Sequence, residues 1–212
     1  MNADDYAWFD DHDESLAMAF CITFVRGLTP QEAFDRLGIT VHPEAGIEDL
    51  LDERAVAASA VEGGVILIEP NGFAGIQDSV TKPLSAGTVT ASVFLNINAD
   101  QHFVHAADGE VVTRFEPDYP GSRSGSDEDR LLAHMVALGM PIEDVDDDDE
   151  DWGDPIHTAF ALAERATGVR LTPQALDNPT LIGSTRPSPD MDAQVGQFPP
   201  GTRSDRHSWS LG

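Results

Sequence analysis

The sequence contains only one cysteine, Cys21, so no disulfide can form within a chain and no cluster of thiolates can bind a metal. Basic residues are also scarce, with 12 Lys and Arg against 38 Asp and Glu. No apolar run approaches the roughly 20 residues that a membrane helix needs. The first residues, MNADDYAWFDDHDE, lack the basic and apolar regions of a secretory signal. These absences predict a soluble cytoplasmic protein with no membrane contact.

The formal charge of −26 is concentrated in the first three quarters of the chain. Residues 1–154 hold the entire surplus of acids, whereas residues 155–212 have five acids and five bases. A negative field of this size repels nucleic-acid phosphates and anionic membranes, so we expect no direct binding of DNA or RNA. The field permits a basic protein partner, but a charge that serves solubility or reflects the composition of the genome is the simpler interpretation.

The densest acidic run is EDVDDDDEDWGDP, residues 143–155, in which nine of the first twelve residues are Asp or Glu. A calcium loop requires oxygen ligands at fixed offsets and a glycine at its sixth position. A start at Asp148 places Gly153 sixth, but Trp152 then stands fifth and Ala159 twelfth, so we expect no built metal site. Two interpretations remain: a solvated leader before the next helix, or a docking strip for a basic partner. The central carboxylates of the run are Asp146, Asp147, Asp148 and Asp149.

Two segments near the N-terminus predict a pair of helices. Residues 14–27, ESLAMAFCITFVRG, have apolar side chains near helical spacing and end at a glycine. In LTPQEAFDRLG, Thr29 is the expected N-cap, with Pro30 and Glu32 completing the helix start. The two segments form an expected helical hairpin. GIEDLLDERAVAA, from Gly46, has a thin apolar face and is a weaker candidate for a third helix.

Four segments predict a mostly antiparallel sheet. Residues 65–69, VILIE, form a short apolar run between turn-forming residues, and residues 88–98 alternate between apolar and polar side chains. QHFVHAA and EVVTRFE flank Asp108-Gly109, which is a favoured two-residue hairpin turn. The alternation along this hairpin places His105 and Arg114 on the same face. We expect the 65–69 strand beside this meander.

Two further helices are expected after the sheet. Ser126 is the predicted N-cap of the first, and Asp154, followed by Pro155, is the predicted N-cap of the second. Beyond Asn178 the composition becomes rich in Pro, Ser, Gly and Asp without a periodic apolar face, which is typical of disorder.

The fold class that these elements predict is α+β. It combines an N-terminal helical hairpin, a mostly antiparallel sheet of about four strands, and C-terminal helices packed on one face. We expect a single domain over residues 1–182 with an acidic loop at 143–154, and a flexible tail over residues 183–212.

Few residues are candidates for chemistry. Glu69 ends a strand beside a turn formed by Asn71 and Gly72. A carboxylate in this place is a possible binding position, and the alternative is that Asn71 and Gly72 only shape a tight turn. His105 and Arg114 are the side chains that could join it. No Gly-rich phosphate loop, nucleophile elbow or HExxH motif is present, so we expect no cofactor and lean towards a protein that is not an enzyme.

Several stretches together resemble an actinobacterial domain family that is labelled as a domain of unknown function. They are CITFVRGLTPQEAFDRLG, VILIEPNGFAG, SVFLNINADQHFVHAADGEVVTRFEPDYPGSRSG and ALAERATGVRLTP, and they lie between about Tyr6 and Ile182. The resemblance implies an actinobacterial origin, a single α+β domain, and an EPNG turn and DG hairpin shared across the family. It supplies no reaction, cofactor or catalytic residue.

Two functional hypotheses follow. The first is a non-enzymatic interaction or regulatory module that binds a basic protein, with an immunity or inhibitor protein as one form of it; this form requires acids that cluster on ordered structure. The second is a small-molecule binder or hydrolase with a pocket around Glu69 and Asn71.

Overall fold

A nine-stranded sheet, antiparallel at every described pair of strands, dominates a computed structural model of the chain. The structure describes residues 2–43, 55–142 and 153–184. The strand order is β2-β9-β3-β4-β1-β5-β6-β7-β8. The strands are β1 Phe20–Arg26, β2 Thr40–Val41, β3 Ala55–Val61, β4 Gly64–Pro70, β5 Val89–Leu95, β6 Gln101–Ala107, β7 Glu110–Glu116, β8 Tyr119–Ser124 and β9 Leu181–Ser184.

Seven α-helices, most of them short, flank this sheet in the described ranges. Two 3-10 turns, Ala3–Tyr6 and Ala74–Ile76, accompany them. The helices are α1 Phe9–His12, α2 Glu14–Met18, α3 Pro30–Leu37, α4 Asp78–Ser85, α5 Leu132–Ala137, α6 Pro155–Thr167 and α7 Pro173–Asp177.

The predicted fold of a helical hairpin with about four strands is wrong, although the protein still combines α and β structure. Only residues 14–18 of the first expected helix are helical, and Phe20–Arg26 is a central strand, β1. Six of its seven residues, Phe20 to Val25, are buried, so both faces of the strand are covered and the run shows no alternation of buried and exposed positions. A fully buried strand and a buried helix give the same periodic signal, and here the tertiary structure decides between them.

Other sheet elements were also missed by the sequence analysis. The weak third helix was expected to continue to residue 58, but β3 begins at Ala55; residues 44–54 lie outside the described residues. The strand β4 does not lie beside the meander, because β1 is inserted between β4 and β5. The strands β2 and β9 are short, and the sequence of β8 has no alternating apolar pattern.

Local signals at element ends were more informative. Thr29 accepts a hydrogen bond from the Glu32 backbone N–H, and Glu32 accepts one from the Thr29 backbone, so α3 begins with the expected capping box. Asp154 caps α6 with Pro155 at its first position. The Asp108-Gly109 turn joins β6 and β7, with positive φ at both residues. The helix expected from Ser126 is shorter, because α5 begins only at residue 132.

Helices cover both faces of the sheet, not one. On the first face, Phe20, Ile22 and Phe24 pack with Tyr6, Phe9 and the helix α6. On the second face, Val25, Val65 and Leu67 pack with Phe34 of α3 and Leu84 of α4. Burial on both sides explains why β4 has a continuous apolar run, Val65 to Ile68, instead of an alternating pattern.

A β-bulge changes the faces along the β6–β7 hairpin. The register shifts between His105 and Ala106, so His105 is opposite Thr113 and Val104 is opposite Arg114. His105 therefore lies on the first face and Arg114 on the second. The expectation that these two side chains share a face is wrong, because the bulge inserts one residue into the period-two alternation.

The acidic run at 143–152, with Asp146, Asp147, Asp148 and Asp149, lies outside the described residues, as does the tail from residue 185. Within the part of the chain that the structure describes, no helix has the length and apolar character needed to cross a membrane.

Candidate functional site

Glu69 holds the turn that follows it against the second face of the sheet through hydrogen bonds to the main chain of that turn. Its Oε2 accepts a hydrogen bond from the Ala74 backbone N–H at 3.0 Å, and its Oε1 accepts one from the Gly75 N–H at 2.8 Å. In the register, Glu69 lies opposite Cys21 of β1, whose side chain is fully buried. Both carboxylate oxygens are therefore engaged by the main chain of the 3-10 turn.

The close approach of this turn depends on glycine. A Cβ at Gly75 would lie 2.4 Å from the Thr23 Oγ1 and 2.8 Å from the Cys21 Sγ, and a Cβ at Gly72 would lie 2.6 Å from the Glu69 Cβ. Asn71, which is exposed, has a φ of 54°, and its N–H donates to the Ala19 carbonyl at 3.0 Å. The residue types at 71, 72 and 75 thus match what the turn geometry demands.

Burial controls the protonation of this cluster. Desolvation raises the pKa of Glu69 from 4.5 to about 7, against the opposing effect of the hydrogen bonds from Ala74 and Gly75. Burial also raises the pKa of the Cys21 thiol, and the Glu69 charge raises it further. A carboxyl group with a pKa near neutrality is a frequent feature of functional sites, and equally of buried structural groups.

Arg114, the cationic candidate, lies elsewhere on the same face. It forms an ion pair with Asp78 at 2.5 Å, and Asp78 pairs with Lys82 at 2.8 Å. These three residues line an open cleft of about 700 Å³ with the hairpin turn at Gly109. Glu69 does not line it. The two cations of the cleft share one carboxylate, and their hydrogen bonds and charges lower the pKa of Asp78.

His105 is buried on the other face, so it cannot meet Glu69 or Arg114. Its Nδ1 lies 2.9 Å from the Thr90 carbonyl oxygen, and desolvation lowers the pKa of its ring. The structure thus separates the candidate residues into three places: the Glu69 turn, the Arg114 cleft and the His105 core position.

An ordered acidic surface lies at the N-terminus, where the sequence analysis did not single out a site. We define the N-terminal acidic surface as the six exposed carboxylates of residues 4–14. The segment is held down by Tyr6 and Phe9, which are 0% and 2% exposed and pack on Phe160 of α6. The members of the surface are Asp4, Asp5, Asp10, Asp11, Asp13 and Glu14.

Hydrogen bonds also fix two of these carboxylates. Asp13 accepts from the backbone N–H groups of Ser15 and Leu16, and Asp5 accepts from the Asn2 N–H at 2.9 Å. The segment itself contains no Lys or Arg, since the first base in the sequence is Arg26, and an ion pair joins Asp5 of this surface to Arg170 at 4.0 Å.

The bases of the described residues already have partners. Arg26 and Arg36 donate to backbone carbonyls, while the other five bases with assigned contacts face carboxylates. The net charge of the described surface therefore stays strongly negative, since the described ranges hold 22 acids and only eight bases. The bases paired with carboxylates are Lys82, Arg114, Arg123, Arg130 and Arg170.

One group of side chains has the composition of a metal site. Asp10 of α1 lies beside Asp154 and His157 at the start of α6, and one ligand atom from each lies within 4.8 Å of the others. Asp154 and His157 are three apart on a helix, which the sequence could have shown. Asp10 could not have been found in this way, because the packing of Tyr6 and Phe9 on Phe160 brings it there.

The fold and these clusters define an α+β protein with an ordered acidic surface. The chain belongs to a family whose model matches residues 1–185 and which is described as "Family of unknown function (DUF6461)". No curated protein and no solved structure is similar enough to the chain to count as a match.

Proposed function

We propose that the protein is a non-enzymatic interaction module that binds a basic protein partner through the N-terminal acidic surface. The observation that supports this most directly is six exposed carboxylates on a segment of eleven residues that aromatic packing holds in place. An immunity-like or inhibitor-like protein needs its acids on ordered structure, and this segment meets that requirement. We take the partner to be cytoplasmic.

Fixed carboxylates favour binding more than mobile ones do. A mobile acidic strip loses conformational freedom when it docks, whereas a segment already anchored by Tyr6 and Phe9 loses little. Charges of one sign on such a surface accelerate the encounter with an oppositely charged partner, and this effect weakens as salt shortens the Debye length. A nearby apolar side chain, Met18 of α2, is 61% exposed and offers the contact that charge alone does not provide.

The test compares two variants with the same change in charge. Asp4→Asn/Asp11→Asn/Glu14→Gln removes three acids of the N-terminal acidic surface that make no structural hydrogen bond in the described residues. Glu62→Gln/Asp108→Asn/Glu128→Gln removes three exposed acids from turns elsewhere. Each immobilised protein is mixed with lysate of the source organism at 50 and 300 mM salt, and the bound proteins are quantified by mass spectrometry.

We expect one or a few basic proteins to bind the unchanged chain and the second variant, with at least tenfold lower recovery at 300 mM salt. The first variant should lose them at both salt concentrations. Equal recovery by the two variants would show that the binding follows net charge and not this surface. Recovery that salt does not weaken, or no enriched basic protein, would contradict the proposal.

The alternative of a small-molecule binder or hydrolase around Glu69 and Asn71 remains a prediction. It draws support from the pKa of about 7 at Glu69. The two hydrogen bonds from Ala74 and Gly75 favour a structural role instead, because they leave neither carboxylate oxygen free of the turn.

A further inference from the structure

We propose that Asp10, Asp154 and His157 form a binding site for a divalent first-row transition metal, for which Zn²⁺ is the probe. The site goes beyond the partner docking proposed above, with which it shares only Asp10. It stands on the geometry of three side chains that come from two separate parts of the chain.

The imidazole of His157 provides the first argument. The residue is 8% exposed, and its Nε2 is buried without a hydrogen-bond partner among the described residues. A buried ring nitrogen left without a hydrogen bond is costly, so such an atom calls for a ligand. The Asp10 Oδ2 lies 3.2 Å away, close enough for an ion pair but outside hydrogen-bond geometry.

The separation of these two atoms suits a shared cation. Two ligands with bonds of about 2.0–2.1 Å to one zinc ion lie about 3.3 Å apart when the angle between the bonds is tetrahedral. The observed 3.2 Å agrees with this spacing. A metal on the Nε2 lone pair would therefore meet the Asp10 carboxylate without a large movement of either side chain.

Asp154 can bind a cation without losing its helix-capping role. Its Oδ1 accepts a hydrogen bond from the backbone N–H of His157 at 2.7 Å and lies 3.7 Å from the Nδ1 of the same imidazole, so its other oxygen is the one available to a cation. Asp154 and Asp10 are on the surface, with side chains 46% and 59% exposed. Water can therefore complete the coordination, as it does at open sites with three protein ligands.

The composition of the site selects the class of metal. One imidazole and two carboxylates suit Zn²⁺, Mn²⁺ or Fe²⁺, whereas Ca²⁺ and Mg²⁺ prefer sites of oxygen alone. The two carboxylates also balance a charge of +2. Such an ion would link α1 to the first turn of α6, next to the aromatic contact between Phe9 and Phe160.

The test measures Zn²⁺ binding to the full chain by calorimetry in a non-chelating buffer, together with thermal unfolding with and without Zn²⁺. Asp10→Asn removes an exposed ligand, and Asp154→Asn keeps a good N-cap while it removes the second carboxylate. Asp11→Asn is the matched control, because it removes the neighbouring exposed charge and no ligand. Ca²⁺ and Mg²⁺ are titrated in parallel.

We expect micromolar binding of one Zn²⁺ per chain to the unchanged protein and to Asp11→Asn, and at least tenfold weaker binding to Asp10→Asn and Asp154→Asn. The same two variants should lose the rise in Tm that Zn²⁺ gives. Zn²⁺ binding that is equal in Asp10→Asn and Asp11→Asn would assign the ion to other carboxylates and overturn the proposal. Absence of binding below 100 μM, or equal affinity for Ca²⁺, would overturn it as well.

Discussion

Replacement of Glu69 by glutamine should change how the stability of the protein depends on pH. The folded protein holds the pKa of Glu69 at about 7, compared with 4.5 for the free side chain, so it binds this proton more tightly than the unfolded chain does. Such a group stabilises the fold fully below its unfolded pKa, and this contribution falls as pH rises through the folded pKa.

The size of the effect follows from the two pKa values. A shift of this extent corresponds to about 3 kcal/mol in the free energy of unfolding. Most of it, about 2 kcal/mol, is lost between pH 5.5 and pH 8, where the carboxyl group ionises in the folded protein but is already ionised in the unfolded chain. Glu69→Gln cannot ionise, so this part of the pH dependence should disappear.

Urea unfolding at several pH values between 5.5 and 8 measures the effect. The free energy of unfolding of the unchanged chain minus that of Glu69→Gln should fall by about 2 kcal/mol across this range. Subtraction removes the contribution of the other acids. Glu62→Gln, which loses the same charge from an exposed turn, should keep the profile of the unchanged chain.

A difference between the unchanged chain and Glu69→Gln that is flat, or that rises with pH, would refute the reasoning. It would mean that the hydrogen bonds from Ala74 and Gly75 outweigh desolvation and that Glu69 is ionised in the folded protein throughout this range. At every pH, Glu69→Gln should also be less stable than the unchanged chain. Its amide nitrogen would face a backbone N–H whose hydrogen bond the carboxylate had accepted, and this N–H would lose its acceptor.

Two further predictions concern buried polar groups. Tyr6→Phe removes the hydroxyl that donates to Glu164 Oε2 at 2.6 Å and should lower the free energy of unfolding by about 1–3 kcal/mol in a urea titration. Tyr119→Phe, at a side chain 60% exposed, should change it by less than about 0.5 kcal/mol. Equal effects of the two substitutions would contradict a stabilising hydrogen bond from Tyr6 to Glu164. The Cys21 thiol is fully buried, and burial raises its pKa. It should therefore react with a disulfide reagent at pH 8 at least a hundredfold more slowly in the native protein than in urea. Similar rates in the two conditions would contradict its burial.

Features that depend on neighbouring residues were predictable from the sequence. The capping box at Thr29, the start of α6 at Asp154 and the Asp108-Gly109 hairpin turn all appear as expected. The four expected strands also exist, and all pair antiparallel. In each case the residue type is tied to a backbone conformation or a hydrogen bond within a few positions, so tertiary contacts are not needed to identify it.

The candidate site was less predictable. Sequence placed Glu69 at a strand end and Asn71 in a turn, and both are there. It could not show that the 3-10 turn folds back onto Glu69, nor that the bulge at His105 would separate His105 from Arg114. Strand alternation predicts faces only while the register continues without interruption.

The sequence by itself determined the composition of the molecule: a strong negative charge, one cysteine, and the turns and caps that mark the ends of elements. The tertiary structure alone decided that Phe20–Arg26 is a strand, because burial on both faces outweighs the helical spacing of its apolar residues. It also decided which side chains meet. Asp10 reaches His157 because Tyr6 and Phe9 pack on Phe160. Contacts between distant segments depend on such packing, which no local pattern records.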